Sequence, residues 1–340
     1  MDMKNYNKKL FLSLFFTLFF IMNLNYFVNP YNIFKQIILK TTLLKPEAKV
    51  QERYTKPIGL KIDSRKIPAI FIGTSRVDLA INTSDYKALT KQEAENLAVG
   101  GLNCDELENM INIALKIHPE IKKIYIGVDF QIFAKDKVQV DDNRALITKN
   151  PKLELSEIST ALLSLGTTGN SFWTIIKNVI GIEKRMFYAE GYKHIFVNKD
   201  IQEEFDGTVF EYTSKYKDYE LDYEKISKFK KYVNYLKSEG IDVKLFIMPT
   251  HITLQNLIDE TGKRNIYNEW LKEMSNIDKI WDYNIKNQYT TEKINPNMKY
   301  FFDGSHATHI FGKMIIEDLL TETPKYAIIR TKKGGEKNEK

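Results

Sequence analysis

The sequence places a serine where a nucleophile would have to stand. The run Ala69-Ile70-Phe71-Ile72-Gly73-Thr74-Ser75-Arg76-Val77-Asp78 is apolar and β-branched, then halts at Gly-Thr-Ser. Such a run predicts a buried parallel strand ending in a tight turn, with a helix after it. The Ser75 hydroxyl then lies at a strand's carboxyl end, near a helix N-terminus. Open α/β sheets place their sites there, and backbone N–H groups can stabilise a developing oxyanion. Taken alone, Ser75 reads first as an N-cap. The segment Tyr300-Phe301-Phe302-Asp303-Gly304-Ser305-His306 changes that balance, because Asp303 and His306 stand on a turn entering a helical run over 307–320. Converging on Ser75, the carboxylate would hold the imidazole tautomer while the imidazole accepts the serine proton.

Other residues compete for roles in that site. Asp129 ends an expected third strand, and it either belongs to the site or caps the next turn. Arg76 binds an anionic substrate group or pairs with Asp78, the second being the default for neighbouring charges. His251, after Met248-Pro249-Thr250, reads as a residue lining the site or as a solvated loop histidine. His309 is a rival base, and the Asp303 spacing favours His306. Two histidines beside one aspartate, with no further cluster, argue against a metal, and no cofactor is expected. His194 reads as surface or packing. The single cysteine, Cys104, excludes an internal disulfide framework and any multi-cysteine metal site; it reads as a small buried residue.

The elements that must position these groups follow from hydrophobic pattern. Strands are expected at the Ser75 run, at Asn96-Leu97-Ala98-Val99 ending in Gly100-Gly101, over 123–130, over 243–249 and near 280–283. Helices are expected over 105–117, where Leu107, Met110, Ile111 and Ala114 recur at helical spacing, and over 223–238 and 264–274. The alternation predicts five parallel strands with helices on both faces, in one α/β domain. Residues of roughly 135–205 break the rhythm. They carry amphipathic stretches over 153–165 and 171–182 with no strand expected, and read as a helical insertion, a lid over the site or a partner surface.

The N-terminus has a different character. Residues 10–28 are apolar on every face behind Lys4, Lys8 and Lys9, and no small-x-small cleavage site follows. About 19 residues suffice to cross the hydrocarbon core. The segment is therefore expected to be an uncleaved signal anchor in the lipid bilayer, with residues 1–9 cytoplasmic and the large C-terminal part outside. Lys35, Lys40, Lys45 and Lys49 follow it, so lysine bias does not set direction. Residues 29–67 read as a juxtamembrane linker with a short helix over 33–44, and residues 326–340 as a disordered basic tail. The formal charge of +6 is spread through the chain. It suits work beside anionic envelope polymers or lipid, and with no nucleic-acid signature present no nucleic acid is expected as a partner.

Gly73-Thr74-Ser75, Gly101, Gly127-Val128-Asp129 and Asp303-x-x-His306, in this order and context, resemble the SGNH/GDSL hydrolase superfamily. They are most similar to its membrane-anchored bacterial branch of D-alanyl transfer and exopolysaccharide-cluster proteins. The likeness covers residues 68–322 less the insertion, and sets an expected domain at 68–325. It implies a three-layer flavodoxin-like fold, with Ser75 as nucleophile, His306 as base and Asp303 as its orienting carboxylate. It also implies an oxyanion hole from the backbone N–H groups of Ser75 and Gly101. The family's third donor is an asparagine where this chain has Asp129, and an ionised aspartate donates no hydrogen bond. Either Asp129 is protonated, another group donates, or the site is weaker, one such donor being worth ~3 kcal/mol. Thr74 also replaces the usual aspartate of Gly-Asp-Ser.

The expected function is a membrane-anchored serine esterase or O-acyltransferase acting on a cell-surface glycan or other envelope polymer. A membrane-bound acyltransferase is a further candidate partner. The alternative is a non-catalytic scaffold of the same fold that binds polymer or such a partner. A nucleotide-binding module is disfavoured because no Gly-x-Gly-x-x-Gly loop is present.

Overall fold

The computed structural model describes residues 3–34, 52–135, 150–182, 186–189, 192–195, 200–321 and 323–332. The chain divides into two compact units: Met1–Ser64 with Asn150–Phe196, and Arg65–Lys149 with Val197–Lys340.

The second unit is mixed α/β and holds every candidate site residue. Its strands are β1 (Ala69–Ile72), β2 (Ala94–Asn96), β3 (Lys123–Gly127), β6 (Asp242–Ile247), β7 (Ile280–Asp282) and β8 (Ile328–Arg330), with β4 and β5 in the other unit. They form one sheet in the order β2-β1-β3-β6-β7-β8. The first five strands are parallel, and β8 runs antiparallel to β7, with Trp281 opposite Ile329. β1 pairs on both edges and all four of its side chains are buried, which is why its sequence is unbroken by polar residues.

Helices α3 (Ser75–Ala80), α4 (Thr83–Thr90) and α12 (His309–Leu319) cover one face of this sheet. Phe71, Tyr125, Phe246 and Trp281 share a core there with Val77, Tyr86, Phe311 and Ile315. The intervening strand residues Ile70, Ile124, Ile126 and Leu245 are also buried, so the opposite face is covered too. The other helices of this unit are α5 (Cys104–Ile117), α8 (Ile201–Lys217), α9 (Tyr223–Ser238), α10 (Ile252–Glu260) and α11 (Arg264–Ile277). The start of α5 is secured by a capping box between Asn103 and Glu106.

The first unit contains α1 (Met3–Val28), α2 (Glu52–Ile62), α6 (Leu155–Leu163), α7 (Leu165–Val179) and the antiparallel pair β4 (Met186–Ala189) and β5 (Tyr192–Ile195). α1 is long and apolar enough to cross a membrane. Buried Lys61 on α2 donates to Glu157 on α6 at 2.6 Å.

Several expectations are corrected. The sheet has six strands, because residues 328–330 of the expected disordered tail form β8; residues 333–340 lie outside the described residues. The expected linker contains α2 over its second half, while residues 35–44 of the helix expected over 33–44 are not described. The insertion contains the β4–β5 hairpin, where no strand was expected. The missed strands have three or four residues, too brief to carry a periodic signal, and α2 contains Pro57, which in sequence reads against a helix.

Candidate active site

β1 lies between β2 and β3, so the chain leaves β1 towards one edge of the sheet and later continues towards the other. The carboxyl ends of β1 and β3 flank this switch point, where open α/β sheets form a crevice. Ser75 follows β1 there and Asp129 follows β3. Two glycines let α3 sit directly on these strand ends. A Cβ on Gly73 would meet Val77 Cγ2 at 2.5 Å, and one on Gly127 would meet the same atom at 2.2 Å. The Gly100–Gly101 turn comes alongside, since a Cβ on Gly100 would stand 3.9 Å from Ser75 Cβ. Gly101 itself has a φ of 64°, a left-handed conformation that glycine adopts without strain.

Ser75 is the first residue of α3, while Thr74 is its N-cap and accepts from the Arg76 N–H. The capping task therefore falls to Thr74, and the Ser75 hydroxyl faces histidine. Ser75 Oγ lies 2.9 Å from His306 Nε2. His306 Nδ1 lies 2.9 Å from Asp303 Oδ2 and 3.1 Å from Oδ1. A carboxylate only accepts, so Nδ1 carries the proton and Nε2 is free to accept from serine. Asp303 Oδ1 also accepts from the backbone N–H groups of Ser305 and His306, at 2.7 and 2.8 Å. Burial pushes the Asp303 carboxyl up, but these bonds and the imidazole outweigh it and hold the group below the ordinary aspartate range. His309, the rival base, opens α12 two residues after Ala307, beyond this turn.

Arg76 and Asp129 have a joint role that sequence reading missed. Arg76 Nη1 donates to Asp129 Oδ1 at 2.8 Å, and both side chains are buried. Thr74 Oγ1 donates to the other Asp129 oxygen. Arg76 Nε donates to Ser305 Oγ at 3.1 Å, and Nη2 to the Tyr212 hydroxyl at 3.1 Å, with Tyr212 and Ser305 themselves 3.0 Å apart. Burial works against the guanidinium charge; Asp129, aided by Tyr212 and Tyr216, more than offsets this and raises its pKa. The expected pairing of Arg76 with Asp78 gives way to this ion pair across two strand ends. Asp129 stands at the N-cap of the 3₁₀ turn Phe130–Phe133 but makes no capping bond with its side chain. Both of its oxygens accept, so it adds no donor near Ser75. Nothing short-range marks Tyr212, which α8 brings in. Ser305, between Asp303 and His306, was within the motif but had no assigned task.

His251 is not a solvated loop residue or an open site residue. It is buried between Phe205 and Phe301, edge-on to both. Its Nε2 lies 2.8 Å from the Glu292 carbonyl and Nδ1 accepts from the Thr253 N–H, capping α10. Since a carbonyl only accepts, the ring is the neutral Nε2–H tautomer. Burial lowers its pKa against the weaker pull of Glu292. Cys104, at the start of α5, has its thiol pushed up to about 12 by burial, which leaves it protonated and a poor nucleophile.

Taken together, the geometry can remove a proton from Ser75 Oγ through His306 and return it to a leaving group. No protein-family model matches the chain, and no curated protein matches it.

Proposed function

We propose that this chain is a membrane-anchored serine esterase or O-acyltransferase of the SGNH/GDSL type, acting on a cell-surface glycan or similar envelope polymer. The observation that carries the reading is the continuous relay from Ser75 Oγ through His306 to Asp303. The strand order β2-β1-β3-β6-β7 supports a flavodoxin-like arrangement. The apolar helix α1 supports anchoring, with the α/β unit on the extracytoplasmic side of the cell membrane in a single-pass topology.

In this reading Ser75 Oγ attacks an ester carbonyl as His306 Nε2 takes its proton. The tetrahedral oxyanion is met by the backbone N–H groups of Ser75 and Gly101. Collapse expels the alcohol, which receives the proton from His306 and leaves an acyl group on Ser75. Water or a sugar hydroxyl, deprotonated by the same imidazole, then attacks the acyl-enzyme and frees Ser75. Asp303 stays ionised throughout and stabilises the imidazolium.

The full chain in detergent, incubated with p-nitrophenyl acetate, is expected to release p-nitrophenol and to gain one acetyl group by intact mass. Both signals should vanish in Ser75→Ala and in His306→Ala. Neither signal in folded wild type would turn the reading to a polymer-binding scaffold, which the missing third oxyanion donor at Asp129 favours.

A further inference from the structure

Helix α7 is turned inside out relative to a helix of a water-soluble protein. Its small polar residues are buried: Ser171 is 0% and Thr167 1% exposed, and Thr174 is buried as well. Its large apolar residues point outward: Leu165 is 89% and Val179 78% exposed, with Phe172, Trp173 and Ile176 also on the open side. Water selects the opposite distribution. Lipid selects this one, because apolar side chains match acyl chains while small and polar residues mediate contact between helices.

The polar side of α7 meets the last turns of α1. Asn25, fully buried, donates through Nδ2 to the Leu162 carbonyl at 2.8 Å and to Thr168 Oγ1 at 3.0 Å. Ser171 Oγ donates to Asn25 Oδ1 at 2.8 Å. Farther along, Asn170 Nδ2 donates to the Tyr31 hydroxyl at 2.6 Å. Through this polar side α7 is pinned to the end of the one described helix apolar enough to span a bilayer, which leaves its apolar side facing outward.

We infer that α7 is a second membrane-contacting element. It lies at the lipid interface where α1 emerges, with Phe172, Trp173, Ile176 and Val179 in the boundary between headgroups and acyl chains. Its 15 residues extend about 22 Å at the usual helical rise, too short to cross. An outward tryptophan suits that depth. In this reading α7 is a membrane foot. The inference rests on the anchoring of α1 proposed above.

The test uses the full chain with Cys104→Ala, reconstituted in phosphatidylethanolamine–phosphatidylglycerol liposomes. Single nitroxide labels at Phe19→Cys, Phe172→Cys, Ile176→Cys and Lys228→Cys are compared by power saturation with oxygen and with a water-soluble nickel chelate. Labels at 172 and 176 are expected to show an oxygen-to-nickel ratio well above that at 228 and below that at 19, as befits a depth at the headgroup boundary. Lipid-like values at 19 with water-like values at 172 and 176 would overturn the inference and leave the anchor standing. Water-like values at 19 would overturn both. Labels at 172 and 176 shielded from both reagents would mean that protein covers α7, which also overturns it. A label-free arm uses Trp173: headgroup-proximal doxyl lipid should quench a fluorescence component that is lost in Trp173→Phe.

Discussion

Arg76 Nε donates to Ser305 Oγ, tying the residue after the serine to the residue before the histidine. The same guanidinium is paired with Asp129 at the end of the neighbouring strand. One buried side chain thus joins the carboxyl ends of β1 and β3 to the turn carrying Asp303 and His306. Its effect on the relay is positional, since it holds the two sides of the Ser75–His306 contact in register.

Replacing Asp129 with asparagine therefore has an outcome opposite to the one that the proposed SGNH/GDSL reading suggests. The change would supply an amide donor, yet it would leave the buried Arg76 charge without its counter-ion. Breaking a buried pair from one side costs about 3–5 kcal/mol. Asp129→Asn and Arg76→Met are each expected to destabilise the α/β unit by that order, and the double variant by less than the sum. Urea unfolding read from Trp270 and Trp281, both buried in this unit, measures it in a Trp173→Phe background. Additive single effects would show that the two groups are not coupled.

Asp303→Asn separates orientation from folding. The amide keeps an acceptor for the backbone N–H groups of Ser305 and His306 but loses the charge that holds the proton on Nδ1. On the proposed reading, kcat/KM for ester hydrolysis is expected to fall about 10²–10⁴-fold, the usual worth of a general base, because His306 loses the tautomer that lets it act as one. There is also a stability signature. The folded carboxyl is held below its ordinary value of 3.8, so its contribution is complete above that value and is lost as pH falls through the lower folded one. Acid unfolding curves for wild type and Asp303→Asn should converge at the lowest pH. Parallel curves would contradict the assignment.

His251 titrates with the opposite chemistry and the same sign. Its neutral ring caps α10 through Nδ1, and burial holds its folded pKa below 6.5. The unfolded chain then binds the extra proton first, so stability is full above 6.5 and declines as pH falls towards the folded value. Between about pH 7.5 and 5.5 the urea midpoint of wild type should drop. In His251→Gln, which keeps an acceptor without a titrating group, the drop should shrink. An unchanged slope would place the titrating group elsewhere.

The parts of this site that could be read from sequence are those whose signal is local. Ser75 ends an apolar run, and Asp303 and His306 share one turn, so residue type and spacing were enough. The Arg76–Asp129 pair joins residues 53 positions apart, and its geometry exists only once β1 and β3 pair side by side. Sequence proximity points Arg76 at Asp78, but residues two apart on a helix do not face each other. His251 looked solvent-facing because Pro249 and Thr250 mark a loop; the aromatic rings that bury it, Phe205 and Phe301, come from distant segments. α7 showed its amphipathicity at once, but periodicity does not say which face is buried. The side it presents outward emerges only from Asn25 and Ser171 meeting.

Gly312 gives a test of how closely α12 must approach α3. In an exposed helix interior, glycine to alanine gains up to about 1 kcal/mol through propensity. Here the added Cβ would stand 1.8 Å from the Ala80 carbonyl oxygen, a backbone atom that cannot rotate away. Overpacking of this kind costs about 1–3 kcal/mol, occasionally more, so the steric term wins and Gly312→Ala should destabilise. The displaced helix begins at His309, three residues after His306, and α3 begins at Ser75. Separating them should lengthen the contact at the heart of the relay, so kcat is expected to fall in protein that remains folded. Unfolding curves and initial rates on the same preparation decide the matter. A Gly312→Ala variant as stable and as active as wild type would mean that α12 is not held against Ala80.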